Sequence, residues 1–388
     1  MSSPADGRAL PLAGVRVLDA SRVIAGPYAA YLLALMGAEV RRIEAPPTGD
    51  SIRWRQRDNA ALGRQGLSTD YVAQAGGKQV ELLDLAAPAG RQRFDALVAE
   101  ADVVIENFRP GSLARLQLDP QAYRARHPRL VWCAVSGYGR RGPRADWPAY
   151  DHVVQAASGL MALTGTEASG PTKTGAPVVD YATGANAAMA VLAALLRRER
   201  SGQGALVEAS LLDGAWSLMH SAASGVHNGH ASGTSRGNHA ASGAPLSRLW
   251  PAADGHVAVA VNEDHQRRAL ARTVGAAESD DDDALARALT RWLADKTSAR
   301  AESTLCASGV ACAAVRPLPQ ALAQDGGAMF RALPGSALCA SALPFAIDGW
   351  RGEPGALPLP PPLRPSSMPG AAGRVTPPAR PSRTRGGP

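Results

Sequence analysis

The chain has 388 residues, 45% of them hydrophobic and only 5% aromatic, with a formal net charge of +7. That length suits two or three domains, and the apolar content excludes a disordered or collagen-like chain. Residues 351–388 carry six arginines against the single acid Glu353, which leaves +2 for the remainder, so no nucleic-acid surface is expected.

Cys133, Cys306, Cys312 and Cys339 contain no Cys-x-x-Cys pair and do not form a disulfide framework. The first residues lack a basic run followed by an apolar core, and no stretch approaches ~18 consecutive apolar residues. The expectation is a soluble, cytoplasmic α/β protein without a membrane partner.

In chain order, Val15, Val17 and Leu18 predict a short strand ending at Asp19. Tyr28, Tyr31, Leu32, Leu35 and Met36 share one face of a helix over 26–36, which Gly37 stops. Further strands are expected at Ala38–Glu44, Ala101–Phe108 and Arg129–Val135, with helical patterns between them. Such alternation implies right-handed crossovers and a mostly parallel sheet, with sites beyond the carboxyl ends of its strands. An Ala/Leu-rich helix is expected over Thr183–Arg200, then a strand entering a helix over Gln203–Leu212. Ser224–Gly243 reads as a Gly/Ser/His-rich linker. Beyond it, Gly255–Val261 alternates as a strand, and Asp280–Asp283 caps a helix with the stripe Leu285, Ala288, Leu289, Trp292 and Leu293. Eleven of the 30 prolines fall in 351–388, a composition expected to be disordered. The resulting organisation is a large α/β domain over 1–222, a linker over 223–245, a small domain over 246–350 and a tail over 351–388.

No G-x-G-x-x-G follows the first strand and no G-x-x-x-x-G-K-[ST] occurs, so nicotinamide and P-loop readings lose their main motif. Within GAPVVDYATG (175–184), Asp180 sits just before the long helix. Its plain reading is a helix N-cap. The same position, beside helix N–H groups and flanking glycines, also suits a carboxylate nucleophile.

The stretches LAGVRVLDASRVIAGPYAAYLLALMGAEVRRIEAP (12–46), KQVELLDL (78–85), ADVVIENFRPGSLARL (101–116), LVWCAVSGYGRRGP (130–143), YDHVVQAASGLMALTG (150–165) and 175–214 together resemble the family III CoA-transferases. That resemblance implies a Rossmann-like large domain plus a smaller α/β domain, two chains interlocked as a homodimer, and Asp180 as the catalytic carboxylate. It implies acyl-CoA and a small organic acid as substrates, with no permanently bound cofactor. Matching positions for CoA are Ala25, Gly76, Gly77, Lys78, Asn107, Phe108, Arg109, Arg115, Ser136, Gly137 and Tyr138. Lys78, one of three lysines, and Arg115 are expected on phosphates. The chain departs from the family pattern at AGGKQV around Lys78, at Ala45 and in the tail. Related racemases place a histidine where this chain has Tyr150, before Asp151, so transfer is favoured over α-proton exchange. A non-catalytic relative that keeps the fold is the remaining alternative. His220, His227, His230 and His239 have no carboxylate or cysteine companion, and no metal site is expected.

Overall fold

The computed structural model describes residues 10–56, 58–229, 235 and 237–358. Six strands, β1 (Arg16–Asp19), β2 (Glu39–Glu44), β3 (Lys78–Leu82), β4 (Val103–Glu106), β5 (Val131–Ser136) and β6 (Ala205–Ser210), form one sheet in the order β3-β2-β1-β4-β5-β6. Every neighbouring pair is parallel. Strand order reverses between β1 and β4, and the crevice outside such a switch point is where open α/β sheets bind ligands. The pairing runs from Val17↔Val103 to Asp19↔Ile105, so the loops after β1 and β4 leave the sheet side by side.

Helices α1 (Ala25–Leu35), α2 (Ala60–Arg64), α3 (Thr69–Ala75), α4 (Pro88–Glu100), α5 (Pro110–Leu116), α6 (Pro120–Arg126), α7 (Asp151–Ser158), α8 (Leu160–Leu163) and α9 (Val178–Ser201) connect and cover the strands, followed by α10 (Leu211–Leu218) and α11 (His220–His227). Strand residues alternate between two buried faces. Val17, Val103, Ile105, Val131 and Cys133 meet α1, α9 and α10. Leu18, Val104 and Trp132 meet α4, α5 and α6. Both faces are therefore apolar, as a parallel sheet under two helical layers requires.

The scarcity of aromatics is answered by close helix packing. Ala29 and Ala30 of α1 and Ala187 and Ala188 of α9 lie in one core cluster. At Gly184 a side-chain carbon would come within 2.6 Å of the Ala25 carbonyl oxygen, so α9 crosses the first turn of α1 backbone to backbone. By length and composition α9 is apolar enough to span a bilayer; in this fold it is a core helix, with Val191, Ala194 and Leu195 packed inward.

The second module is an antiparallel sheet β7-β8-β9, formed by β7 (Arg248–Ala252), β8 (Gly255–Ala260) and β9 (Ala311–Ala314). Helices α12 (Asp264–Val274), α13 (Asp282–Leu293) and α14 (Ser298–Ala307) close its core, where Leu270, Leu285, Leu289, Leu293 and Leu305 gather with Trp250. Asp281 caps α13 by accepting from the Ala284 N–H. After α15 (Leu318–Asp325), β10 (Phe330–Ala332) and β11 (Cys339–Ser341), Leu333, Ala340 and Leu343 rejoin the first core.

Three expected boundaries change. Helix α11 runs to His227, so helix occupies the start of the expected 223–245 linker. The small module ends well before 350, because the chain returns to the large core. Residues 351–358 also pack: the Gly352 carbonyl accepts from the Leu343 N–H, and the Ala356 carbonyl from the Gly77 N–H. The rest of the expected disordered tail, 359–388, lies outside the described residues, as does His230.

Candidate active site

Asp180 lies in the first turn of α9, three residues past the N-cap position Pro177. The N-cap expectation for Asp180 is therefore corrected: the helix begins five residues earlier than its Ala/Leu pattern. The capping acceptor comes from elsewhere. Asp151 Oδ2 accepts from the N–H groups of Val179 (2.8 Å) and Asp180 (3.1 Å), and Gln155 Nε2 donates to Asp151 Oδ1 at 2.6 Å. This buried carboxylate from α7 satisfies orphan donors at the positive end of the α9 dipole.

Asp180 itself is left ionisable and unusual. Burial, then the neighbouring Asp151 charge, push its carboxyl up to about 7, while Arg55 pulls in the opposite direction. The carboxyl opens onto a cleft of about 240 Å³ at the β1/β4 switch point. Its walls include Arg22, Val23, Ile24 and Ala25 after β1, Asn107, Phe108 and Arg109 after β4, Ser136 and Gly137 at the end of β5, and Ala145, Trp147, Ala149 and Tyr150. Ala25, Asn107, Phe108, Arg109, Ser136 and Gly137 thus join Asp180 around one cavity. Gly184 supplies the local reason, since the close α1–α9 crossing places Asp180, one helical turn earlier, beside Ala25.

Other expected CoA residues fall elsewhere. Tyr138 is not in the cleft lining; its ring is edge-on to Trp147 at 6.3 Å and under the Arg144 guanidinium at 4.8 Å. Arg115 is exposed on α5 and donates to Ser112 Oγ at 3.0 Å. Gly76 and Gly77 make room for the chain's own C-terminal segment: a side-chain carbon at Gly76 would lie 3.0 Å from the Gly355 carbonyl oxygen. Lys78 requires the plainest correction. Its Nζ is fully enclosed, 2.9 Å from Asp19 Oδ2 and 2.7 Å from the Pro27 carbonyl, so a phosphate cannot reach it without breaking the ion pair.

That pair belongs to a buried network under the β1 loop. Arg42 contacts Asp19, Glu44 and Asp50, and Arg53 contacts Glu44. Three cations thus face three carboxylates, the balance that buried charge requires. Burial pulls the Lys78 ammonium down to about 8 despite Asp19. Burial opposes ionisation of Asp19, yet Lys78 and Arg42 hold its carboxyl below the ordinary value.

The network also shapes the cleft wall. Val23 has φ of +66°, a strained value for a β-branched residue. Asp50 Oδ2 accepts its N–H at 2.9 Å and Gln74 Nε2 donates to its carbonyl at 2.6 Å. Asn107 clamps Arg22 in the same way, accepting its N–H and donating to its carbonyl, both at 2.8 Å. Glu106, buried at the end of β4, accepts from the Phe108 N–H and pairs with Arg140 at 2.9 Å; burial pushes its carboxyl up to about 7.

A second cavity of about 350 Å³ adjoins the first, with Arg22 and Phe108 in both linings. It follows the carboxyl ends of β2 and β3 through Ala45, Leu83, Leu85 and Ala86, and reaches Leu116 beside Arg115. The sequence reading missed Arg22, Ile24, Trp147 and Tyr150 as cleft residues; all but Trp147 lie in segments already matched to the family. Among the described residues no group of three or more His, Cys, Asp or Glu is arranged to hold a metal ion.

The chain belongs to CoA-transferase family III, whose description matches residues 12–358. A succinate–glutarate CoA-transferase of Agrobacterium fabrum is 37% identical over 287 residues, covering 70% of this chain and 68% of that one. The alpha subunit of succinyl-CoA–L-malate CoA-transferase from Chloroflexus aurantiacus is 36% identical over 56% of this chain, which spans about half (51%) of that subunit. A crystal structure of an Rv3272 mutant from Mycobacterium tuberculosis aligns with a TM-score of 0.78 at 28% identity, over 91% of this chain and 96% of that one. A CaiB/BaiF family protein from Brucella suis gives 0.76 at 26%, over 92% and 97%.

Proposed function

We propose that this chain moves CoA from an acyl-CoA donor to an organic acid, with Asp180 as covalent carrier. The observation that carries the reading is an ionisable carboxyl at the switch-point cleft of a family III fold. An Asp180 oxygen attacks the thioester carbon; the C–S bond breaks and CoA thiolate remains bound beside an aspartyl–acyl anhydride. The thiolate then attacks Cγ of Asp180, expelling the donor as its carboxylate and leaving an aspartyl–CoA thioester. The acceptor carboxylate reverses both steps and departs as its CoA ester. No net proton is moved. The cleft must exclude water, which would hydrolyse either intermediate.

The two adjoining cavities, which share Arg22 and Phe108, support an extended substrate. The thioester end belongs at Asp180 and the nucleotide end in the pocket running to Leu116. Succinyl and glutaryl esters are the donors to try first, because similar proteins carry those names. We place the enzyme in the cytoplasm as a homodimer. Its four unpaired cysteines suit a reducing compartment, and exposed Met189 and Leu196, spaced seven apart on α9, offer a partner an apolar face. A racemase reading loses support because among the described residues no histidine lines the cleft, and Asp151 is bonded to helix N–H groups.

The test is intact-mass analysis of the protein incubated with succinyl-CoA, alongside product analysis with glutarate. Asp180 should acquire CoA, and Asp180→Ala should neither acquire it nor form glutaryl-CoA. Turnover by purified Asp180→Ala near the wild-type rate sinks the mechanism. A chain that folds, binds CoA and never loads Asp180 would be the non-catalytic relative.

A further inference from the structure

Arg22 is the cation common to the two cavities. Its guanidinium lies 5.9 Å from the Phe108 ring centroid, and among the described residues no carboxylate pairs with it. A surface arginine without an acid is ordinary when its backbone is free to move. Here both backbone polar groups of Arg22 are held by Asn107, and the next residue is locked at positive φ by Asp50 and Gln74. Four side-chain hydrogen bonds therefore fix where this side chain starts. The other charged side chains lining the second cavity are the carboxylates Glu44, Asp50 and Asp84, and the first two are already neutralised within the buried network.

We propose that Arg22 is the anchor for the diphosphate of CoA, which crosses from the thioester cleft to the nucleotide pocket at this seam. The inference rests on the CoA reading above. A planar guanidinium suits bidentate contact with phosphate oxygens, and a rigidly aimed one loses less freedom on binding. The diphosphate lies between pantetheine and adenosine, and Arg22 lies between the two cavities that would hold them.

The experiment is a substrate-truncation series on wild type, Arg22→Gln and Arg22→Lys, each checked for unchanged melting. With acyl-CoA, Arg22→Gln should raise KM about tenfold or more with kcat within about threefold, and Arg22→Lys should recover part of the loss. The penalty should persist with acyl-dephospho-CoA, which keeps the diphosphate, and vanish with acyl-pantetheine, which lacks it. Loss of the penalty on dephospho-CoA would assign Arg22 to the 3′-phosphate and overturn the proposal. So would an equal penalty on acyl-pantetheine, or no penalty on any substrate. Calorimetric titration with CoA and with pantetheine gives the same contrast without turnover. A protein that binds CoA through Arg22 but transfers nothing would retain this inference and refute the transferase reading.

Discussion

Replacing Asp151 by Asn tests the electrostatic control of Asp180. The asparagine keeps an acceptor oxygen for the Val179 and Asp180 N–H groups and removes the charge, while its amide nitrogen replaces Oδ1 and loses the hydrogen bond from Gln155 Nε2. Asp180 attacks only as the carboxylate, so kcat/KM for acyl-CoA should fall on the acid side of about pH 7, tenfold per pH unit. Burial is the larger cause of that position and the Asp151 charge the second. Two charges ~6 Å apart at an effective dielectric constant of ~20 interact by ~3 kcal/mol, and part of that is screened at an open cleft. The acid limb of Asp151→Asn should therefore move down by about one pH unit, with the high-pH plateau within a few-fold of wild type. Loss of the anion at the α9 N-terminus and of the Gln155 hydrogen bond should together cost about 1–3 kcal/mol of stability. The assay is kcat/KM from pH 5 to 9 by chromatographic separation of CoA esters. An unmoved limb, or one displaced upward, would refute the coupling.

Asp180→Asn should abolish transfer yet stabilise the fold. Its folded carboxyl titrates near 7, above the ordinary 3.8, so its contribution to stability is complete below about pH 4 and lost as pH rises through 7. The melting advantage of the variant should thus be greater at pH 8 than at pH 5, by on the order of 2 kcal/mol, and an advantage independent of pH would contradict it. Gly184→Ala should force α9 away from Ala25, costing about 1–3 kcal/mol and more than tenfold in kcat; thermal melts and initial rates check both. Lys78→Ala should strip Asp19 of its closer cation, leaving two buried cations against three carboxylates, and cost about 3–5 kcal/mol in denaturant unfolding, whereas loss of a surface phosphate ligand would leave stability nearly unchanged.

Local pattern carried the reading of the sheet. Short apolar runs ending at Asp19, Glu44 and Phe108 located the strand ends, and therefore the loops that form the cleft. What failed was long-range pairing. Nothing near Asp180 in sequence shows that Asp151, from another helix, caps its turn. The rarity of lysine singled out Lys78, but its partner Asp19 is 59 residues away and the pair is buried. Gly76 and Gly77 enter the sequence reading only as matched CoA positions, and the chain that approaches their backbone is residues 354–356. Arg22 passed unnoticed because an arginine in a loop reads as solvated until Asn107, 85 residues on, is seen to hold its backbone.

The basicity of Asp180 bears on the direction of the proposed reaction as well as its rate. A more basic carboxylate is a better nucleophile as long as it remains ionised at the working pH, and a titration point near 7 meets both conditions. The mixed anhydride can then break in two ways when CoA thiolate attacks. Attack on the acyl carbon expels Asp180 and regenerates the donor ester; attack on Cγ expels the donor acid and advances the exchange. An ordinary aliphatic carboxylic acid has a pKa of about 4.3, so it is the weaker base and the better leaving group. Desolvation in the cleft acts on both carboxylates, so it is the Asp151 charge, set at the N–H of Asp180, that favours departure of the donor over return of the aspartate. The same surroundings oppose the ionised form at rest, so the fold sustains an unfavourable charge at the head of α9. The Gly184 crossing and the Asp151 cap keep that turn in place while the charge is present.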